Sequence, residues 1–291
     1  MSGAPPPPDP VTGSRRGRFL GSGILPRTLV ALVGAPLLIW LGYHGGLGFQ
    51  ALVLAVVLLG LREYELLARA AGRRPFQAAM LLLGGGVAAG LERGWPAVAL
   101  ITAAVLVLSS ATLLRRDRRG FVADVATSVF GVVYVALPGA HLGLLRGLEH
   151  PDPLAGARAL GLLAAVTWAC DTFAYVVGVS MGRTPLVPSI SPKKSREGAV
   201  GGLLAAGAAG WLVAETFGAP LLSPLAGLTL GLICGVAGQV GDLVESALKR
   251  DAGVKDTAGL LPGHGGVLDR FDSLFFNAPI LYWALALGWA S

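Results

Sequence analysis

Three aspartates in the last fifth of the chain carry the first sign of chemistry. Asp242 closes a long apolar stretch, and Asp269 and Asp272 open the next one. Residues three apart in a helix share a face, so Asp269 and Asp272 are expected side by side. Carboxylates converging at the edge of an apolar segment repel one another unless a cation joins them. Hard oxygen donors with no His or Cys among them suit Mg²⁺, which takes one or two carboxylates and completes its shell with phosphate oxygens and water. The same acids would also serve as ion-pair partners for Lys249, Arg250 and Arg270. Spacing alone leaves both readings open.

Cations accompany these acids. Lys249, Arg250 and Lys255 lie in one polar stretch, and Lys193, Lys194 and Arg196 in another. Both groups offer donors for phosphate oxygens, although Ser191-Pro192-Lys193-Lys194 would also serve as a plain positive anchor at a membrane surface. Anion-binding side chains beside a dication are the ingredients of phosphoryl or nucleotidyl transfer. Gly263-His264-Gly265-Gly266 has neither the dinucleotide fingerprint nor a P-loop pattern. Its glycines allow close backbone approach to an anion, and His264 is either a phosphate donor or a turn residue. Asp171 is different again. It lies within an apolar stretch, Trp168-Ala169-Cys170-Asp171-Thr172-Phe173-Ala174-Tyr175. A carboxylate there is costly unless it faces a polar cavity, which Thr172 and Tyr175 would share, or pairs with a cation for packing. Glu245, one turn after Asp242, has similar status.

The elements that must hold these groups are apolar helices. Of 291 residues, 54% are apolar and 14% charged, against about 25% charged in an ordinary soluble domain. That balance excludes a disordered chain, a disulfide scaffold and a soluble enzyme of this length. No basic run interleaved with aromatics supports nucleic-acid binding. Cys170 and Cys234 fall inside apolar stretches and read as packing residues. A membrane span takes roughly 17–25 apolar residues. Candidate spans fall near 28–43, 47–61, 76–91, 95–114, 123–145, 157–179, 199–217, 221–241 and 273–290. The fold class is therefore an all-α polytopic integral membrane protein with about nine transmembrane helices. Gly227, Gly231 and Gly235 form a ridge that lets a neighbouring helix approach the eighth span.

Residues 1–26, rich in Pro and Arg, read as a disordered tail. Residues 27–150 supply the first helices, and 151–291 form the catalytic region with two polar loops, 181–198 and 241–272. Alternating the spans from a cytoplasmic tail places twenty of the 23 Lys and Arg on the tail's side, leaving Arg93, Arg146 and Arg158 opposite. Positive charge is retained inside, so the N-terminus and both polar loops are expected to face the cytoplasm.

Three segments resemble a known family. They are Asp171-Thr172-Phe173-Ala174-Tyr175-Val176-Val177-Gly178, then Ser191-Pro192-Lys193-Lys194-Ser195-Arg196-Glu197-Gly198, and a signature running from Ser246-Ala247-Leu248-Lys249-Arg250 through Lys255-Asp256 to Leu261-Pro262-Gly263-His264-Gly265-Gly266-Val267-Leu268-Asp269-Arg270-Phe271-Asp272. Together they look like phosphatidate cytidylyltransferases, the CDP-diacylglycerol synthases. The resemblance is specific over about residues 155–290; the earlier helices match only as apolar helices, and the tail not at all. Ser195 stands where the family more often has Thr, and the hydroxyl is kept.

The resemblance implies an enzyme of the cell (inner) membrane that joins CTP to phosphatidic acid from the bilayer, releasing pyrophosphate and CDP-diacylglycerol. It also implies Mg²⁺, with room for a second metal ion, and a homodimer. Carried over by position, Asp242, Asp269 and Asp272 would hold metal. Lys249, Lys255 and His264 would contact phosphates, with Asp256 and Arg270 in the same catalytic group. Asp171, Tyr175, Ser191, Lys193, Lys194, Glu197, Ser246, Arg250, Gly265 and Gly266 would line the substrates. The competing readings are another CTP-using lipid enzyme, such as a polyprenol kinase or a cytidylyltransferase for a different lipid, and a secondary transporter coupled through Asp171. The transporter reading lacks a paired internal repeat.

Overall fold

A computed structural model describes residues 36–115, 119–218, 221–254 and 266–289. The predicted tail, 1–26, lies outside them. The chain divides into two units, Met1–Tyr43 and His44–Ser291. The described part of the first, residues 36–43, is helical. All that follows concerns the second.

The described residues of that unit form helices and one hairpin. Helices α1 (Gly46–Ala70), α2 (Gln77–Glu92) and α3 (Ala97–Leu113) come first. Next, α4 (Phe121–Gly131) passes through a π-helical turn (Val132–Ala136) into α5 (Leu137–Arg146). Then come α6 (Ala155–Met181), strands β1 (Pro185–Val187) and β2 (Ser191–Ser195), and α7 (Arg196–Val213), which ends in a second π-helical turn, Ala214–Gly218. The last two helices are α8 (Pro224–Asp251) and α9 (Leu268–Ala286). Among the described residues, four continuous helices are long and apolar enough to cross a membrane: Phe121–Arg146, Ala155–Met181, Arg196–Gly218 and Pro224–Asp251. The protein is thus a helical membrane protein.

Local sequence accounts for the start of α8. In α8, Ser223 accepts the Ala226 N–H at 3.3 Å, and Pro224 sits at the first position, where its missing N–H leaves no orphan donor. The helix has 28 residues, more than the roughly 20 that cross a hydrocarbon core. This corrects the expected loop over 241–272, because residues 241–251 are further turns of α8. Similarly, the segment expected to end at 61 continues to Ala70. Its charges did not break the helix, since Tyr64, Leu67 and Ala68 continue the buried face of Val53, Val57 and Leu61. The loop expected over 181–198 is mostly the hairpin, with Pro185 opposite Ser195 and Val187 opposite Ser191.

The glycine ridge of α8 packs as expected. A Cβ on Gly227 would run into the Gly210 carbonyl of α7, so backbone lies on backbone there. α6 packs along α7 in turn. α9 joins them through polar contacts inside the bundle: Asn277 Nδ2 donates to Thr167 Oγ1 at 3.0 Å, and the Ser273 hydroxyl to the Gly238 carbonyl at 3.1 Å.

Candidate active site

Four helix ends meet around the β1–β2 hairpin: the C-termini of α6 and α8 and the N-termini of α7 and α9. The hairpin is fastened at its base. Glu197, in the first turn of α7, accepts the backbone N–H groups of Arg183 at 3.1 Å and Thr184 at 3.2 Å. Ser195 caps α7 by accepting the Gly198 N–H at 3.1 Å, a task for which threonine would serve as well. Glu197, expected among the substrate ligands, here holds the chain entering the hairpin. Side chains alternate along a strand, and β2 accordingly presents Lys193 to solvent and turns the half-buried Lys194 towards α8. There the Lys194 ammonium pairs with the Asp242 carboxylate. Ser191 begins the same strand.

Asp242 owes its position to the glycine before it. A Cβ on Gly241 would lie 2.6 Å from the Asp272 carbonyl oxygen, so only glycine lets α8 and α9 come this close. Asp272 is buried, with Oδ1 accepting the Ser273 N–H at 2.6 Å. Asp242, Asp171 and Lys194 are all within electrostatic reach of it. Asp171 joins the cluster from α6, where it and Tyr175 lie one turn apart on the exposed side.

A second cluster lies further along α8. Lys249 Nζ bonds Glu245 Oε2 at 2.6 Å and also pairs with Asp269 of α9. Arg250 Nε donates to the Ile190 carbonyl at 3.2 Å, tying the last turn of α8 to the hairpin. Ser246 is half-buried on the same turns, Gly266 is buried ahead of α9, and Arg270 is exposed. Lys255, Asp256, His264 and Gly265 lie outside the described residues.

The aspartate trio is thus divided. Asp242 and Asp272 belong with Lys194, whereas Asp269 belongs with Lys249. Three residues along α9 leave the two side chains about 60° apart and roughly one turn removed along the axis. Asp272 therefore lies buried beside Gly241, while the more exposed Asp269 reaches Lys249. Among the described residues, no three His, Cys, Asp or Glu side chains gather closely enough to enclose a metal. The donor chemistry still fits Mg²⁺. Asp242 and Asp269 are partly exposed carboxylates, each already holding an ammonium. One or two such ligands, with phosphate and water completing the shell, is the usual arrangement for that ion. A cavity of about 740 Å³ lies at the opposite end of α9, where Arg93, Arg146, Glu149 and Tyr282 line it. The predicted site residues take no part in it.

Two residues near the site escaped the sequence reading. Glu63 and Tyr134 come from α1 and the first π-helical turn, both ahead of the three segments on which the sequence resemblance rested. Glu63 is fully buried and accepts the Leu268 N–H, at the start of α9, at 2.9 Å. The available signal was an acid inside an apolar period, in Arg62-Glu63-Tyr64-Glu65, which its charges disguised as a loop.

Residues 25–287 match the model of the cytidylyltransferase family. The chain is 36% identical over 293 residues to a protein of Synechocystis sp. named phosphatidate cytidylyltransferase, covering 90% of this chain and 96% of that one. A Brucella abortus protein of the same name is 37% identical over 267 residues, covering 90% and 93%. One from Bacillus subtilis is 39% identical over 187 residues, covering 63% and 66%.

Proposed function

The chain belongs to the cytidylyltransferase family, and on that premise we infer that it is a phosphatidate cytidylyltransferase. It joins CTP to phosphatidic acid, giving CDP-diacylglycerol and pyrophosphate. The observation that carries this reading is the pair of contacts Lys194–Asp242 and Lys249–Asp269. They set anion-binding ammonium groups against cation-binding carboxylates at the ends of membrane-length helices.

The reaction needs little covalent help from the protein. A phosphate monoester is already mostly dianionic at neutral pH, so the lipid phosphate oxygen can attack the α-phosphorus of CTP without a strong base. The remaining tasks are positioning and charge neutralisation. Asp242 and Asp269, with Asp272 behind them, would hold Mg²⁺; bound there, it would offset the negative charge of the CTP phosphates. Lys249 is placed to exchange its carboxylate partners for the leaving pyrophosphate. Lys193, Lys194 and Arg250 form a basic rim on the hairpin and the end of α8, suited to steering the nucleotide inward. Asp171 and Tyr175, on the exposed side of α6, face the route of a substrate whose tails stay in the bilayer.

The finer topology rests on charge. Nine spans, a cytoplasmic N-terminus and a cytoplasmic site in the inner membrane agree with the one-sided distribution of Lys and Arg. We take the enzyme to act as a homodimer, as the resemblance implies. The test is direct. Purified protein with phosphatidic acid, α-labelled CTP and Mg²⁺ should yield labelled CDP-diacylglycerol, while γ-label should leave as pyrophosphate. Label transferred to lipid from the γ-position would instead identify a kinase.

A further inference from the structure

Two buried atoms beside this site lack hydrogen-bond partners among the described residues, and they are complementary. The Tyr134 hydroxyl has no acceptor, and Glu245 Oε1 has no donor. Tyr134 is 7% exposed and Glu245 1%, so water does not readily satisfy either. An unpaired buried polar group is costly to keep, which makes two such groups in one neighbourhood informative.

The backbone explains how Tyr134 comes to be there. Pro138 lacks an N–H, and its ring would collide with the carbonyl four residues earlier, that of Tyr134. The helix widens into the π-helical turn Val132–Ala136 at this point, which relieves the clash. The Tyr134 ring stacks on Phe130 at 5.2 Å and meets Phe276 edge-on at 6.4 Å. Phe276 lies one turn beyond Asp272 on α9 and packs against Gly241 of α8. Tyr134 therefore stands at the level of the α8–α9 contact that organises the acids. Glu245, Asp272 and Asp242 all act on it electrostatically, Glu245 most strongly.

We propose that Tyr134 is a positioning residue whose hydroxyl donates to Glu245 Oε1 when substrate is bound. The proposal rests on reading the site as one for cytidylyl transfer. In the structure Lys249 is shared between Glu245 and Asp269. If CTP phosphates draw that ammonium away, a buried carboxylate is left without its ion pair, a strongly unfavourable state. A hydrogen bond from Tyr134 would offset it, so that Lys249 can leave for the nucleotide while Glu245 keeps its place.

Tyr134→Phe removes only the hydroxyl. Because that hydroxyl has no partner among the described residues, the melting temperature should hold or rise. Because the bond forms when CTP binds, kcat/KM for CTP should fall about tenfold, as expected for a hydrogen bond to a charged group, with KM carrying the loss. In a Glu245→Gln background the same substitution should add less than about twofold, because the two residues act as one unit. The rise in melting temperature that CTP produces should also shrink in Tyr134→Phe, a readout independent of turnover. Wild-type kcat/KM for CTP in Tyr134→Phe, or effects that multiply fully in the double variant, would overturn the proposal. If CTP stabilises the wild type but no CDP-diacylglycerol forms, it is the functional reading that fails. The CTP-induced shift in Tyr134→Phe then still decides whether the bond exists.

Discussion

The carboxylate of Glu63 accepts the backbone N–H of Leu268 at 2.9 Å, across 205 residues of sequence. Leu268 is the first residue of α9, and Val267 before it gives no side-chain cap. A buried acid of α1 thus caps the helix that carries Asp269 and Asp272, where it also suits the positive end of the helix dipole.

Glu63→Ala should therefore loosen the first turn of α9 by about 1–2 kcal/mol, the usual worth of a cap. Hydrogen exchange across residues 267–272 should rise and kcat should fall. Glu63→Gln, which keeps an acceptor oxygen, should recover most of both. Unchanged exchange in Glu63→Ala would show that the contact does not restrain the helix.

Asp242→Asn and Asp269→Asn should each lower CDP-diacylglycerol formation by about 100-fold or more, the scale of losing a group that neutralises transition-state charge. Both side chains are partly exposed, so melting temperature should change little. Chelation by EDTA should abolish wild-type turnover, and added Mg²⁺ should restore it. An Asp269→Asn enzyme near wild-type rate would remove that residue from the site.

Gly241→Ala would place a methyl 2.6 Å from the Asp272 carbonyl oxygen, a backbone atom that cannot swing away. Forced separation of α8 and α9 should destabilise the protein by about 1–3 kcal/mol, as overpacking does. Activity should fall further than stability, because Asp242 and Asp272 would part. A thermal melt and a rate measured on the same sample separate the two effects.

Ser195→Thr should leave turnover and melting temperature near wild type, since either hydroxyl caps α7. Ser195→Ala should cost about 1 kcal/mol and weaken CTP binding through the loosened hairpin, visible as a raised KM. Equal behaviour of the two variants would rule out the cap as the reason for a hydroxyl at this position.

Much of the helical framework was legible because apolar runs of membrane length have few other ways to satisfy their backbone. The Gly227–Gly231–Gly235 ridge was legible for a related reason: residues four apart in a helix must share a face. Helix ends were harder to read. Arg62, Glu63 and Glu65 looked like a loop, yet α1 runs on to Ala70, because each acid is held: Glu65 by Arg62 and Arg69, Glu63 by Leu268. Polar side chains mark an exposed turn only when no partner is waiting for them.

From sequence alone come the class, the family and the list of reactive groups, because hydropathy and a contiguous signature over Ser246–Asp272 are local properties. The pairing of those groups is not local. Lys194 meets Asp242 across 48 residues, Glu63 meets Leu268, and Tyr134 meets Phe276 only because helices distant in sequence pack together. Even Asp269 and Asp272, three residues apart, meet different partners, Lys249 for the first and the Asp242 level of α8 for the second, because α8 runs past them on α9. Which charge neutralises which, and which buried atom is left waiting for a partner, are decided by helix packing.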